Sequence, residues 1–226
     1  MVREELQRTA KLLGEQAVER LAGVKIAVFG LGGVGGHAAE ALVRTGVGAL
    51  DIIDGDAVAL SNINRQLAAL HSTIGRLKTD VCGERFLDIN PELKLRKFPF
   101  FFGEDTAEKF DFGEYDYVLD CIDDVSAKVL LAEICTQKNV RIISSMGAGN
   151  KLNPMGFRVA DIYETSVCPL ARVMRQRLRK AGVERLRVVY STEEPVITER
   201  TPASCAYVPS AAGLLMAAAV IDELTR

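Results

Sequence analysis

The stretch from Lys25 to Gly36 constrains this chain more than any other. Four apolar residues, Ile26 to Phe29, run directly into Gly30, Gly32, Gly33 and Gly35. An uninterrupted apolar run of this kind reads as a buried strand, and the glycines behind it as a tight turn that opens a helix. Gly30, Gly32 and Gly35 fit the GxGxxG pattern, whose glycines permit the turn, let backbone approach phosphate and let the helix lie close to the sheet. Unpaired N–H groups at such a helix start suit phosphate oxygens. A bound nucleotide is the first expectation, with NAD, FAD and ATP all open. A close-packed turn without a ligand is the plain alternative.

The rest of the chain repeats the alternation. An amphipathic helical stretch over 4–21, broken at Gly14, precedes the glycine strand. Behind the glycines a helix is expected over 37–45, closed by Gly46 and Gly48, then a strand over 50–53 that ends in Asp54-Gly55-Asp56. Further helices are expected over 79–89 and 126–137, and strands over 93–98, 117–124 and 141–145. The Phe98–Phe102 run reads as a core-facing strand end. Alternating strands and helices imply an α/β class: a Rossmann-like, mostly parallel sheet with helices on both faces, and a C-terminal extension packed on the same domain. In such a sheet ligands lie beyond the carboxyl ends of the strands, where Gly30 to Gly35, Asp54, Asp123 and Gly147 all fall. A length of 226 residues with 48% hydrophobic content suits one domain, 1–226. Short apolar pieces among charges between Gly182 and Thr201 predict a mobile, substrate-facing excursion within 150–205.

Composition narrows the setting. The charge of −2 does not announce nucleic-acid binding, although a local basic patch would be averaged away in that figure. Cys82, Cys121, Cys135, Cys168 and Cys205 are scattered and odd in number, so neither a disulfide framework nor a four-cysteine zinc site is expected. A reducing cytoplasm and no targeting segment are the corresponding expectations. The apolar run Ala211–Ile221 is too short to span a bilayer, which would need about 20 residues, and predicts a buried or dimer-interface helix. Its small residues would allow close helix approach.

Asp54 lies at the spacing of a ribose ligand, with a turn-forming Asp as the alternative. If the nucleotide is ATP, its larger charge calls for cations and a metal carboxylate, which Arg65, Lys78 and Asp123 could supply. Taken singly, each reads more simply as a solvated charge.

Five segments in this order and spacing carry a resemblance: Gly30 to Gly35, Ile52 to Asp56, Ser61-Asn62-Ile63-Asn64-Arg65-Gln66, Gly75 to Lys78, and Asp120 to Asp123. Together they resemble the adenylating enzymes related to ubiquitin-activating enzyme, which include the activators of sulfur carriers for thiamine and molybdopterin synthesis. The resemblance covers Arg8 to about Gly149. It implies ATP and Mg²⁺ as cofactors, with the glycines Gly30, Gly32, Gly33 and Gly35, together with Asp54, Asp56 and Asn62, around the nucleotide. It implies that Arg65 and Lys78 contact the phosphates and that Asp123 serves the metal. It also implies a homodimer in which Arg8 enters the partner's site, so that Arg8, Arg65, Lys78 and Asp123 form the catalytic set.

Asp161 to Ala171, the basic run behind it and Tyr190 to Glu193 resemble the tRNA threonylcarbamoyladenosine dehydratase branch. There a threonyl carboxylate on a tRNA adenosine is adenylated and then closed into a ring by its own carbamoyl group. That resemblance implies tRNA as substrate. In the helix expected from Pro169 to Lys180, Leu170, Val173 and Leu178 would pack, leaving Arg172, Arg175, Arg179 and Lys180 for RNA phosphates. Where the branch commonly has Asp before Pro-Leu-Ala, this chain has Cys168. An activator of a ubiquitin-like sulfur carrier, with a sulfur-transfer or redox partner, is the nearest alternative. An NAD-dependent oxidoreductase and a non-catalytic nucleotide-binding module are the more distant ones. Cys168 and Cys205 would be the thioester candidates in a carrier activator, and Cys121 reads as core.

Overall fold

The computed structural model describes residues 2–197 and 202–226. Two short helices, α1 (Gln7–Leu13) and α2 (Glu15–Ala22), are separated at Gly14, whose φ of +91° favours glycine. There follow β1 (Lys25–Phe29), α3 (Gly35–Thr45), β2 (Ala49–Ile53), α4 (Lys78–Ile89), β3 (Lys94–Phe98), β4 (Tyr117–Asp120), α5 (Val125–Gln137) and β5 (Ile142–Ser145). The C-terminal third adds β6 (Phe157–Asp161), α6 (Pro169–Lys180), β7 (Arg187–Ser191) and α7 (Tyr207–Thr225). All seven strands form one sheet in the order β3-β2-β1-β4-β5-β7-β6, parallel except for β6, which runs antiparallel to β7. The α/β architecture is the one the alternation predicts.

The order reverses between β1 and β4, so the chain leaves these neighbours in opposite directions and opens a crevice beyond their carboxyl ends. On one face α3 and α7 cover the sheet, with Val28, Leu42, Leu50, Leu119, Met216 and Val220 fully buried between them. On the other, Phe29 meets a cluster of Phe102, Phe110 and Phe112, at ring centroid distances of 5.0, 5.3 and 6.1 Å.

Two expectations are corrected here. Val188-Val189-Tyr190, expected in a mobile excursion, are the core of β7, buried between β5 and β6. Residues 198–201 of that stretch lie outside the described residues. The apolar run at the C-terminus belongs to a 19-residue helix that by length and composition alone is long enough to cross a membrane. Half of its apolar window is buried within the protein, where α7 packs on α3 and the sheet.

Candidate active site

The glycine turn is built by close approach. Gly30 has φ of +90°, and a Cβ there would lie 2.6 Å from the Cys121 carbonyl oxygen, so a side chain has neither the dihedral nor the room. Gly35 stands behind the turn, not in the crevice: a Cβ on it would sit 1.8 Å from the Gly30 oxygen. The first turn of α3 is thereby pressed against the end of β1.

Asp54, at the end of β2, is buried and ties this turn together. Its Oδ2 accepts from the Leu31 N–H at 2.7 Å and its Oδ1 from the Asp56 N–H at 2.8 Å. Burial raises its pKa above the usual carboxylate value, although Lys78 and the two amides pull the other way. Lys78, the first residue of α4, has a buried side chain. Its Nζ lies 2.6 Å from Asp56 Oδ2 and 3.7 Å from Asp54 Oδ2. Asp56 therefore holds the ammonium at the wall of the crevice. Arg65 Nη1 donates to the Ser61 carbonyl at 2.9 Å and to Asn64 Oδ1 at 2.7 Å, while Asn62 Oδ1 accepts from the Ala59 N–H at 3.1 Å. Asp123, just beyond β4, is exposed and makes no ion pair among the described residues. Its neighbour Asp124 is spent on capping α5 through the Ala127 N–H at 2.8 Å.

These groups line one cavity of about 780 Å³, in which Gly30, Gly32, Gly33, Asp54, Asp56, Asn62, Arg65, Lys78 and Asp123 all take part. The volume suits a nucleotide. The lining has the chemistry of a polyphosphate site: a glycine cradle, two cations and an uncommitted carboxylate. Among the described residues no three His, Cys, Asp or Glu side chains gather as a metal centre. A divalent ion here would have to share Asp123 with phosphate oxygens, the usual mode for Mg²⁺.

Several members of the site are not apparent from sequence. Phe100, Phe101 and Phe102 form one wall, and Phe101 is 66% exposed, so the run after β3 is only partly core. Gln66 presents a buried side-chain oxygen with no partner among the described residues. Cys121 lies just past β4 and lines the cavity, and burial pushes its thiol up to about 12. A second cavity, of about 390 Å³, adjoins the first across Val34, Ile122, Asp123 and Gly149. It is walled by Met146, Cys168 and Leu170, and by the buried Lys151, whose Nζ donates to the Glu193 carbonyl at 2.5 Å. Cys168 is buried there, just before the start of α6, whereas Cys205 is half-buried.

Two groups stand apart. Arg8 lies on α1 beside a separate hollow of about 470 Å³, among Leu12, Leu13, Leu214 and Ala218. Leu12 is 85% and Leu214 53% exposed, which makes this hollow an apolar surface. On α6 the packed face is Ala171, Met174 and Leu178, while Val173, expected inside, is 37% exposed. Arg172, Arg179 and Lys180 are exposed, and Arg179 lies over the Tyr163 ring at 5.1 Å. Arg175 bends back instead and donates to the Thr165 carbonyl at 3.0 Å and to its hydroxyl. It is less available to a phosphate than the sequence suggests.

Compared with known proteins, residues 5–226 match the ThiF family. The chain is 39% identical to the tRNA threonylcarbamoyladenosine dehydratase of Bacillus subtilis, over 98% of this chain and 95% of that one. It is 36% identical to the enzyme of the same name from Escherichia coli, over 93% and 82%. A solved structure of E. coli tRNA N6-threonylcarbamoyladenosine dehydratase in complex with ATP superposes with a TM-score of 0.93 at 33% identity, covering 98% of this chain and 94% of that one. By contrast, an adenylyltransferase and sulfurtransferase of Candida glabrata matches at 31% over only 58% of this chain and 30% of its own length.

Proposed function

Because the chain belongs to the ThiF family, we propose that it works as an ATP-dependent tRNA threonylcarbamoyladenosine dehydratase, adenylating the threonyl carboxylate of the modified adenosine and closing it into a ring. The observation that carries this reading is the single crevice that gathers a glycine cradle, Arg65, Lys78 and the uncommitted Asp123. An NAD site needs no such set, because a helix N-terminus largely satisfies a diphosphate. Similarity to the dehydratases runs through the C-terminal third, whereas the match to the adenylyltransferase and sulfurtransferase covers just over half the chain. That difference supports a nucleoside over a carrier protein as substrate.

In this reading the carboxylate attacks the α-phosphorus of ATP and pyrophosphate leaves. Arg65, Lys78 and the N–H groups opening α3 meet the charge that develops on the phosphates, where fixed dipoles and cations act most strongly. Asp123 would hold Mg²⁺, which when bound would supply charge neutralisation at the phosphates. The adjoining cavity, with Met146, Leu170 and the Lys151 ammonium, receives the threonylcarbamoyl arm. The carbamoyl group of the same arm then attacks the acyl carbon, and AMP and a proton leave. No external nucleophile and no cysteine are required, consistent with burial of Cys168. The exposed Arg172, Arg179 and Lys180 bind RNA phosphates. The apolar hollow around Leu12 and Leu214 joins two copies, so that Arg8 reaches the partner's crevice, in a cytoplasmic homodimer of single-domain subunits.

Mass spectrometry of tRNA nucleosides after incubation with protein and ATP tests the reading. The expected result is a product one water lighter than threonylcarbamoyladenosine, formed with AMP. Absence of that product, with ATP/pyrophosphate exchange appearing only when a ubiquitin-like carrier is added, would overturn it.

A further inference from the structure

Beneath the Asp123 loop lies an ion pair that the chemistry above does not use. Lys128 on α5 and Asp120 at the end of β4 are both fully buried, with Nζ 2.9 Å from Asp120 Oδ2. The ammonium also donates to the Ile122 carbonyl at 3.1 Å. Asp120 Oδ2 accepts in addition from the Ser144 hydroxyl at 2.6 Å, across the β4–β5 register pair Asp120 and Ser144. Asp120 Oδ1 accepts from the Ile122 N–H at 3.2 Å.

Burying two charges is expensive, and such a pair commonly adds little net stability over apolar residues of the same shape. Its geometry here does something more specific. The Ile122 residue is gripped at both ends, its N–H by Asp120 and its carbonyl by Lys128. That carbonyl belongs to the peptide bond leading into Asp123, so the ammonium sets the plane from which the Asp123 side chain departs. The preceding carbonyl, of Cys121, is the atom against which Gly30 packs. One rigid unit therefore joins the glycine cradle to the Asp123 loop, with Lys128 at its base.

We infer that Lys128 is a positioning residue: through the Ile122 carbonyl and Asp120 it holds the Asp123 carboxylate where a phosphate-bound Mg²⁺ would need it. The inference rests on the reading of Asp123 given above. The test compares Lys128→Met, Asp120→Asn with Lys128→Met together, and Asp123→Asn. The double variant removes both buried charges at once, so it separates loss of fold from loss of positioning.

Hydrogen–deuterium exchange gives the readout that does not depend on turnover. Peptides covering 121–124 should exchange faster in the double variant, while those of β1 and β4 stay protected. In ATP/pyrophosphate exchange with tRNA, the rate should fall on the order of 10–100-fold, as displacements of about 1 Å commonly produce. Half-saturation by Mg²⁺ should move upward, and ATP binding without Mg²⁺ should stay near wild type. Adding Asp123→Asn to the double variant should cost nothing further, because both changes remove the same contact. A folded double variant with wild-type exchange at 121–124 and wild-type Mg²⁺ dependence would overturn the inference. If Asp123→Asn alone is fully active, the reading of Asp123 fails instead, which is a different outcome.

Discussion

Gly213 offers a sharp test of how α7 is seated. It faces the first turn of α3, and a Cβ built on it would lie 2.3 Å from the Val34 carbonyl oxygen and 3.1 Å from the Ala38 nitrogen. Ordinary contact begins near 3.4 Å, so Gly213→Ala requires α7 to retreat by about 1 Å from backbone that cannot rotate away. Two effects oppose each other. Alanine in a helix interior is favoured over glycine by about 1 kcal/mol. Overpacking against an unyielding neighbour costs about 1–3 kcal/mol. The clash is with backbone at the mouth of the glycine turn, so the upper part of that range applies, leaving a net loss of about 1–2 kcal/mol. For a domain of this size that corresponds to a fall in Tm of about 2–8 °C. Thermal unfolding followed by circular dichroism measures it, and calorimetry with ATP should show weaker binding because Val34 lines the cavity. An unchanged or raised Tm would mean that helix propensity wins and that α7 does not sit this close to α3.

Three further outcomes follow from other parts of the molecule. If Arg8 serves the partner's crevice, Arg8→Ala and Asp123→Asn proteins, each inactive, should on mixing and re-association recover about a quarter of wild-type turnover, since half the dimers are mixed and each has one intact site; no recovery in confirmed heterodimers would refute the shared site. Burial pushes the thiols of Cys82, Cys121 and Cys135 up to about 12 each. Iodoacetamide at pH 8 should therefore modify the half-buried Cys205 first and leave those three intact until denaturant is added, as peptide mapping would reveal. Burial pulls the Glu40 carboxyl upward, but hydrogen bonds from Arg85 and Arg44 more than offset it and leave the pKa below 4.5. A lowered folded-state pKa means stability that is present above about pH 4.5 and lost as pH falls through the folded value. Glu40→Gln should cost about 1 kcal/mol or less in urea unfolding at pH 7, with the difference shrinking as pH falls through the folded value.

Most of the sheet was legible because its central strands are continuous apolar runs followed by glycine or acid, as at Phe29-Gly30 and Ile53-Asp54. β7 escaped notice because its buried run, Val188 to Tyr190, is flanked by Arg185, Arg187, Glu193 and Glu194, and only pairing with β5 and β6 reveals it. Small residues in α7 announced close helix approach, and Gly213 of α7, set against the start of α3, is that approach. On α6 the sequence reading packed Val173, whereas the fold buries its neighbour Met174. Arg175 reads as one arginine among several until the chain returns Thr165 to its side. Arg65, Lys78 and Asp123 were legible through the family resemblance that their motifs carry, and the structure brings them to one cavity. Lys128 was not. Its partner is the carboxylate at the end of the preceding strand, and nothing in a helical lysine marks it as fully buried. Phe101 and Gln66 likewise acquire their place only when the loops behind β2 and β3 meet.

The two outer strands of the sheet have a consequence for how this chain meets copies of itself. β3, at one margin, is a five-residue strand carrying Lys94, Arg96 and Lys97, all exposed. β6, at the other, is also five residues long and places the exposed Arg158 near its start. Both margins are short and β3 is cationic, features that discourage a foreign strand from adding to the ladder. Neither margin is a long, flat, apolar edge of the kind that templates fibrous stacking. In the homodimer proposed above, association through helical surfaces would leave the backbone ladder uninvolved.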